Sequence, residues 1–193
     1  MRIIGGTDRG RRLSAPRGLR TRPTAERVRE ALFDILGPRV AGARVLDLFA
    51  GSGAVGLEAL SRGARRAVFV ERDRKALRAL RANLAGLGIS RERARVVAGD
   101  VLAVLPALAA SEAVFDVVFL DPPYANAPTP RVLEALAAGP LLRPGTQVIV
   151  QHFAKTDLPS VPGLVGGGRA RRFGETTLTF FRAEGYTPSR LRP

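Results

Sequence analysis

Between Arg44 and Gln151, five short apolar runs alternate with stretches of helical spacing. Arg44–Phe49, Ala67–Val70, Ala94–Ala98, Phe115–Leu120 and Thr146–Gln151 read as strands, apolar enough to be covered on both faces. Between them, 54–61, 73–84, 101–110 and 130–138 repeat apolar residues at helical spacing, and Gly63, Gly86 and Gly88 mark helix ends. Such alternation folds through right-handed crossovers into a parallel sheet with helices on both faces, a doubly wound α/β domain. The tail breaks the rule. Ala170–Phe173 and Thr176–Phe181 are strand-like and separated only by Gly174-Glu175, which predicts an antiparallel hairpin. Ahead of the alternation, a strand or hairpin is expected near Arg2–Leu13, then an extended loop to Thr24. Thr24 reads as the N-cap of a helix that runs to Leu36 and stops at Gly37-Pro38. The expected division is a basic N-terminal segment with its helix (1–40), the main domain (41–183) and a frayed tail (184–193).

The charge balance asks for a polyanion. The formal net charge is +14, and lysine occurs only at Lys75 and Lys155, so nearly all of the positive charge is arginine. Abundant Arg, Ala, Gly and Pro also suit a GC-rich genome, so clustering decides between the two readings. Arg9, Arg11, Arg12, Arg17, Arg20 and Arg22 crowd one short segment poor in apolar residues. No cysteine is present, which excludes disulfides, thiolate metal sites and cysteine nucleophiles. His152 is the single histidine and is expected to be structural; no metal site is expected. No run resembles a signal peptide or a membrane span, so a cytoplasmic protein without membrane contact is expected.

Two turns carry chemistry. Gly51-Ser52-Gly53-Ala54-Val55-Gly56 has the G-x-G-x-x-G spacing directly after a strand and opening a helix, where glycine lets the backbone approach a ligand. Glu71 ends the second strand 20 residues past Gly51, placed to accept from ribose hydroxyls. Together they indicate an adenosine-type cofactor without separating NAD from S-adenosylmethionine. Asp47 tips the balance, because a carboxylate beside the turn repels a pyrophosphate and favours a sulfonium with an α-ammonium group. Asp100, after the third strand, is placed for an adenine amine. Capping of the following helices is the plain alternative for these acids. Phe49, Arg72 and Val101 flank these positions and complete the expected cofactor set. Phe33, and Phe49 too, fit a core better than a base-stacking platform.

The sharpest signal is Asp121-Pro122-Pro123-Tyr124, following a wholly apolar strand and therefore at its carboxyl end. An amine on an aromatic base is a poor nucleophile because its lone pair is delocalised. Two acceptors, the Asp121 carboxylate and the Pro122 carbonyl, can hold both N–H bonds and aim the lone pair. Tyr124 can stack on an extruded base, with Pro123 beside it. With the methyl already activated on sulfur, alignment and desolvation are the main task.

Asp47-Leu48-Phe49-Ala50-Gly51-Ser52-Gly53 and Asp121-Pro122-Pro123-Tyr124 resemble the cofactor and catalytic motifs of class I amino-methyltransferases. Arg2-Ile3-Ile4-Gly5-Gly6, Arg9-Gly10-Arg11-Arg12-Leu13 and the stretch from Arg22-Pro23-Thr24 to Leu32-Phe33 resemble the RsmD family of bacterial 16S rRNA guanine-N2 methyltransferases. The resemblance runs from about Arg2 to Phe181. It implies a seven-stranded Rossmann-like methyltransferase sheet, S-adenosyl-L-methionine as cofactor, and methylation of one small-subunit guanine of the 966 type. It assigns the cofactor to Asp47, Gly51, Gly53, Glu71 and Asp100, and the target amine to Asp121, Pro122 and Tyr124. Many family members carry Asp in place of Glu26 and an acid in place of Gln151. The expected partner is 16S rRNA or an assembling small subunit, met by a monomer. Arg9, Arg11, Arg12, Arg22, Thr24 and Arg27 are the expected RNA contacts, although Arg22 and Arg27 could equally stabilise the corner of the first helix. Three other functions compete: a DNA adenine-N6 methyltransferase, an NAD-dependent oxidoreductase, and a basic RNA-binding assembly factor without activity.

Overall fold

The computed structural model describes residues 1–15, 23–123 and 128–184, the side chains of 23–25 excepted. The elements run α1 (Pro23–Leu36), a 3-10 turn (Gly37–Val40), β1 (Arg44–Leu48), α2 (Ala54–Ser61), β2 (Arg66–Glu71), α3 (Arg74–Gly86) and β3 (Ala94–Ala98). They continue with α4 (Val101–Ser111), β4 (Phe115–Leu120), α5 (Thr129–Ala138), β5 (Leu142–Phe153), β6 (Leu164–Phe173) and β7 (Thr176–Ala183). The strands form one seven-stranded sheet in the order β3-β2-β1-β4-β5-β7-β6. The first five are parallel, and β7 pairs antiparallel with both β5 and β6. The strand order reverses between β1 and β4, which opens a crevice at their carboxyl ends.

Alternation along the strands divides the core. Val45, Phe69, Val117, Phe119 and Ile149 face α1, α2 and α3, whereas Leu46, Val68, Val118, Leu120 and Val148 face α4 and α5. Burial on both faces explains the near-continuous apolar runs.

Most limits differ from the sequence expectations by one or two residues, and three departures have a clear physical reason. The helix α1 begins at Pro23, so Thr24 lies inside its first turn instead of capping it; proline is well suited to a first helical position. The strand β5 extends back to Leu142 through Arg143-Pro144-Gly145, where a register shift between Phe115 and Val117 accommodates residues of low strand propensity. The hairpin is longer than expected because β6 includes Gly166-Gly167-Gly168, and its register shifts between Val165 and Arg169. The tail beyond Glu184 lies outside the described residues.

The N-terminal hairpin closes with a single bridge between Arg2 and Arg12. It is joined to the main sheet's core: Ile3 and Leu13 are buried in the same cluster as Val28, Leu57 and Phe69. Glu58, fully buried on α2, anchors it. Its carboxylate accepts from the backbone N–H of Ile4 (2.8 Å) and Gly5 (2.8 Å) and pairs with Arg62 (2.8 Å) and Arg29 (3.4 Å). At Gly6, with φ +79°, a Cβ would lie 1.9 Å from the Ser61 carbonyl, so only glycine allows this approach.

Candidate active site at the carboxyl edge of the sheet

The loops after β1, β2, β3 and β4 meet around a cleft of about 290 Å³. Phe49, Glu71, Arg72, Val101, Asp121 and Pro123 line it, together with Val70, Asp73 and Gly99. Backbone bonds tie the loops together: Ala50 N–H to Val70 O (2.9 Å), Gly99 N–H to Glu71 O (2.9 Å) and Asp121 N–H to Leu48 O (3.4 Å). Phe49, two residues before the glycine turn, and the Asp-Pro-Pro motif, 72 residues further on (Phe49 to Asp121), therefore line one cavity, and the turn is tied to it through Gly51 N–H to the Glu71 carboxylate.

The turn is shaped by close packing. Gly53 has φ +83°, and a Cβ there would lie 2.3 Å from Leu80 Cδ1. A Cβ on Gly56 would lie 2.3 Å from the Phe69 ring, so the third glycine lets α2 settle onto the sheet. Phe49 is the one non-glycine residue with positive φ (62°) among the described residues. That strained backbone places it at the cleft wall, so Phe49 is a lining residue more than a core one.

Glu71 is heavily engaged. Its Oε2 accepts from Gly51 N–H (2.7 Å), and its Oε1 accepts from Arg72 N–H (2.8 Å) and Asp73 N–H (2.7 Å). A carboxylate has about four acceptor positions, so roughly one remains for a ribose hydroxyl in this arrangement. The same bond occupies the Gly51 amide, which a pyrophosphate would otherwise use. Asp100 caps α4 by accepting from Leu102 N–H (3.0 Å) and pairs with Arg72 (3.3 Å), which leaves about two acceptor positions on its half-exposed carboxylate. Val101 opens α4 and contributes to the wall.

The two remaining acids are held in unusual states. Asp47 is 2% exposed beneath the turn, and its Oδ2 accepts from Gly56 N–H (2.9 Å). Burial, then the nearby charges of Asp121 and Glu71, push its carboxyl up to about 8 against one amide bond that pulls down. Burial likewise raises Asp121 to about 7, while a hydrogen bond with the Gln151 side chain opposes the rise. Neither acid has a cationic side-chain partner among the described residues. A donor set of this kind fits a cation and disfavours a phosphate.

Tyr124 and Arg22 lie outside the described residues, as do Arg17 and Arg20, and the side chain of Thr24 is not described. Pro122 is buried and Pro123 exposed along the cleft. Arg9, Arg12 and Arg27 are exposed. Arg11 is committed to the fold, donating to Asp8 (3.2 Å) and to the Gly86 carbonyl, which ties the hairpin to the end of α3. His152 sits on the opposite strand face from Gln151. Its Nδ1 meets the Phe153 carbonyl (2.9 Å), so it carries the proton, and its Nε2 accepts from the Thr179 hydroxyl (2.8 Å). Sequence reasoning passed over Asp73 and Asn83. Asp73 caps α3 through Lys75 and Ala76 N–H and lines the cleft. The Asn83 amide accepts from Ser14 N–H (2.7 Å) and donates to Ser52 O (2.9 Å), carrying the N-terminal segment up to the glycine turn. The one available signal was an asparagine on the otherwise apolar inner face of α3.

The chain is similar to known proteins in both sequence and fold. The model of the family described as Conserved hypothetical protein 95 matches residues 1–182. Ribosomal RNA small subunit methyltransferase D of Escherichia coli (strain K12) is 37% identical over 184 residues, covering 95% of this chain and 90% of its own. A solved structure of a hypothetical protein from Thermus thermophilus superposes with a TM-score of 0.80 at 40% identity, covering 95% of this chain and 99% of that one. An RNA methyltransferase from Salinibacter ruber, solved with S-adenosyl-L-homocysteine, superposes with a TM-score of 0.64 at 19% identity, covering 89% of this chain and 100% of that one, a likeness of fold.

Proposed function

Because this chain belongs to the Conserved hypothetical protein 95 family, the RsmD family, with a class I methyltransferase fold, we propose that it methylates small-subunit ribosomal RNA from S-adenosyl-L-methionine. The finer proposal is that the acceptor is the exocyclic N2 of a guanine, at a site of the 966 type. The observation that carries it is the convergence of Glu71, Phe49 and Asp121 on one cleft, with Asp47 buried nearby and neither aspartate holding a cation of its own among the described residues.

Bound in this cleft, S-adenosyl-L-methionine would supply an electrophilic methyl on a positively charged sulfur. The residues that would hold it are Glu71 towards the ribose, Phe49 and Val101 along the walls, and Asp47 below the turn, a buried carboxyl that would ionise beside the cation. Asp100 and Arg72 close one rim as a pair. Asp121 accepts an N–H of the base amine and, with the Pro122 carbonyl, steers the nitrogen lone pair. As the nitrogen becomes positive, the Asp121 carboxylate offsets that charge in a site largely shielded from water, where the interaction is strong. Its elevated pKa also suits it to take the proton that leaves the methylated nitrogen. The fixed backbone of two consecutive prolines keeps these acceptors still, so alignment is made before the base arrives.

The exposed arginines of the N-terminal segment, Arg9, Arg12 and Arg27, would position the RNA through phosphate contacts, while the cleft reads the base. The division into an RNA-contacting segment (1–40) and a catalytic domain (41–183) follows from this. The test is nucleotide mapping by mass spectrometry of small-subunit RNA from a strain lacking the gene. Loss of one N2-methylguanine, restored by this chain and not by an Asp121→Ala variant, supports the proposal. An unchanged methylation map, or loss of a methyl on another base, would reject it.

A further inference from the structure

The antiparallel hairpin β6–β7 lines none of the cleft, yet its strands reach the level of Asp121 in the sheet. Leu120 is in register with Val150, which places Asp121 next to Gln151 on the adjoining strand. Gln151 pairs with Leu178, and Leu178 pairs with Arg171. One level of the sheet therefore runs Asp121, Gln151, Leu178, Arg171, with Leu178 fully buried in the core between the acid and the arginine. The parallel row below it is Ile149, Phe180, Arg169. Three strand spacings of about 4.8 Å put the Arg171 backbone roughly 14 Å from Asp121. That is about four nucleotides of stacked strand at ~3.4 Å each.

On this face a groove of about 270 Å³ separates α1 from β6. Ile35, Arg39, Gln147, Arg169, Arg171 and Phe180 line it, and its walls carry three arginines and no carboxylate. None of these arginines is in an ion pair among the described residues; Arg171 donates only to the neighbouring Ala170 carbonyl (3.3 Å). Ile35 is the one exposed large apolar side chain among the described residues, at 39% exposure. Arginine fits phosphate as a planar fork, and an apolar or aromatic floor fits the face of an unpaired base.

We infer that this groove between α1 and β6 docks the RNA strand flanking the target guanine, with Arg169 and Arg171 on its phosphates and Phe180 with Ile35 beneath a base. The inference rests on the RNA-methylation reading above and extends the substrate contacts to the far edge of the sheet. Charged side chains on an edge strand also discourage strand addition, a role that lysine or glutamate would fill as well as arginine. The two roles separate experimentally.

The experiment measures methyl transfer by the full chain to small-subunit particles over a range of salt. An Arg169→Glu/Arg171→Glu variant is expected to raise KM on the order of tenfold and to flatten the salt dependence of RNA affinity by about 1.4 in log–log slope, two contacts at ~0.7 each for single strands. Its kcat at saturating particle and its cofactor affinity stay at wild-type levels, and Arg169→Lys/Arg171→Lys is nearly silent. As a second measurement, a photocrosslinking residue at Ile35 should form an RNA adduct in otherwise unaltered protein. The inference is overturned if the wild type methylates particles but the reversed variant keeps its KM and slope. It is also overturned if Arg78→Glu/Arg81→Glu, on the exposed side of α3, raises KM equally, or if no adduct forms at Ile35. A wild-type protein that transfers no methyl to RNA or particles would instead remove the reading beneath it.

Discussion

The two ends of the parallel strands bury carboxylates under opposite conditions. At the amino ends, Glu112, with a side chain 3% exposed, meets Arg44 at 2.7 Å, Arg95 at 2.9 Å and Arg66 at 3.0 Å. Burial works to raise its pKa, but Arg95, Arg66 and Arg44 together bring it below the ordinary value. Nearby, Asp116 pairs with Arg143 and accepts from Arg44 N–H (2.8 Å). At the carboxyl ends, Asp47 and Asp121 are raised to about 8 and about 7 and have no arginine among the described residues. In a chain of net charge +14 arginine is not scarce, yet the arginine lining the cleft, Arg72, pairs with Asp100 and not with Asp47 or Asp121. The amino edge spends its acids on the fold, and the carboxyl edge keeps its acids for a cation and an amine brought by ligands.

The largest effect expected from this contrast is on catalysis. Asp121→Ala should lower kcat for methyl transfer about a thousandfold, with thermal stability and RNA affinity near wild type. A loss below tenfold would mean that the carboxyl edge does not act on the amine. Next in size is the pH response. Deprotonated Asp121 is the acceptor, so kcat should fall about tenfold per pH unit below 7 and level off above it, with the break absent in Asp121→Asn. The amino edge should answer differently. Glu112→Ala leaves three arginines facing one another, and because they are 22–40% exposed the destabilisation is discounted to about 2 kcal/mol in chemical unfolding. Cofactor affinity of the folded protein should not change.

The smallest effect concerns Asp47. Its folded pKa lies above the unfolded value, so the native state keeps a proton that the unfolded chain loses near 3.8. Stability from this group is therefore fullest below that pH and declines as pH rises towards 8. Asp47→Asn, which can still accept from Gly56 N–H, should raise Tm by a few degrees at pH 8 and by little at pH 4, while weakening cofactor binding. A lower Tm at pH 8 would remove the distinction between the two edges.

Much of this was legible in the sequence because a parallel α/β sheet writes itself in apolar runs. Ala94–Ala98 and Phe115–Leu120 have the observed limits, and Ala54–Ser61 is the observed second helix. The strand β6 was hard to read because Gly166-Gly167-Gly168 carries no strand propensity and forms the register shift between the paired residues Val165 and Arg169. The glycine turn and the Asp-Pro-Pro motif could be placed on a common edge from topology alone. What they bond to could not. That Glu71 uses three of its acceptor positions on Gly51, Arg72 and Asp73 N–H, and that Asp100 turns to Arg72 and Leu102, depends on loop geometry that spacing does not specify. The Glu58 anchor and the Asn83 bridge were hidden for the same reason: each polar group contacts backbone more than 30 residues away.

The most direct test of the carboxyl edge is calorimetric titration of the full chain with S-adenosyl-L-methionine and with NAD, repeated from pH 6 to pH 8.5. The expected result is saturable binding of S-adenosyl-L-methionine that tightens as pH rises through 7 to 8 and releases protons at lower pH, as buried acids ionise to meet the cation, with no measurable heat from NAD. Saturable NAD binding, or S-adenosyl-L-methionine affinity that does not vary over that range, would contradict the account.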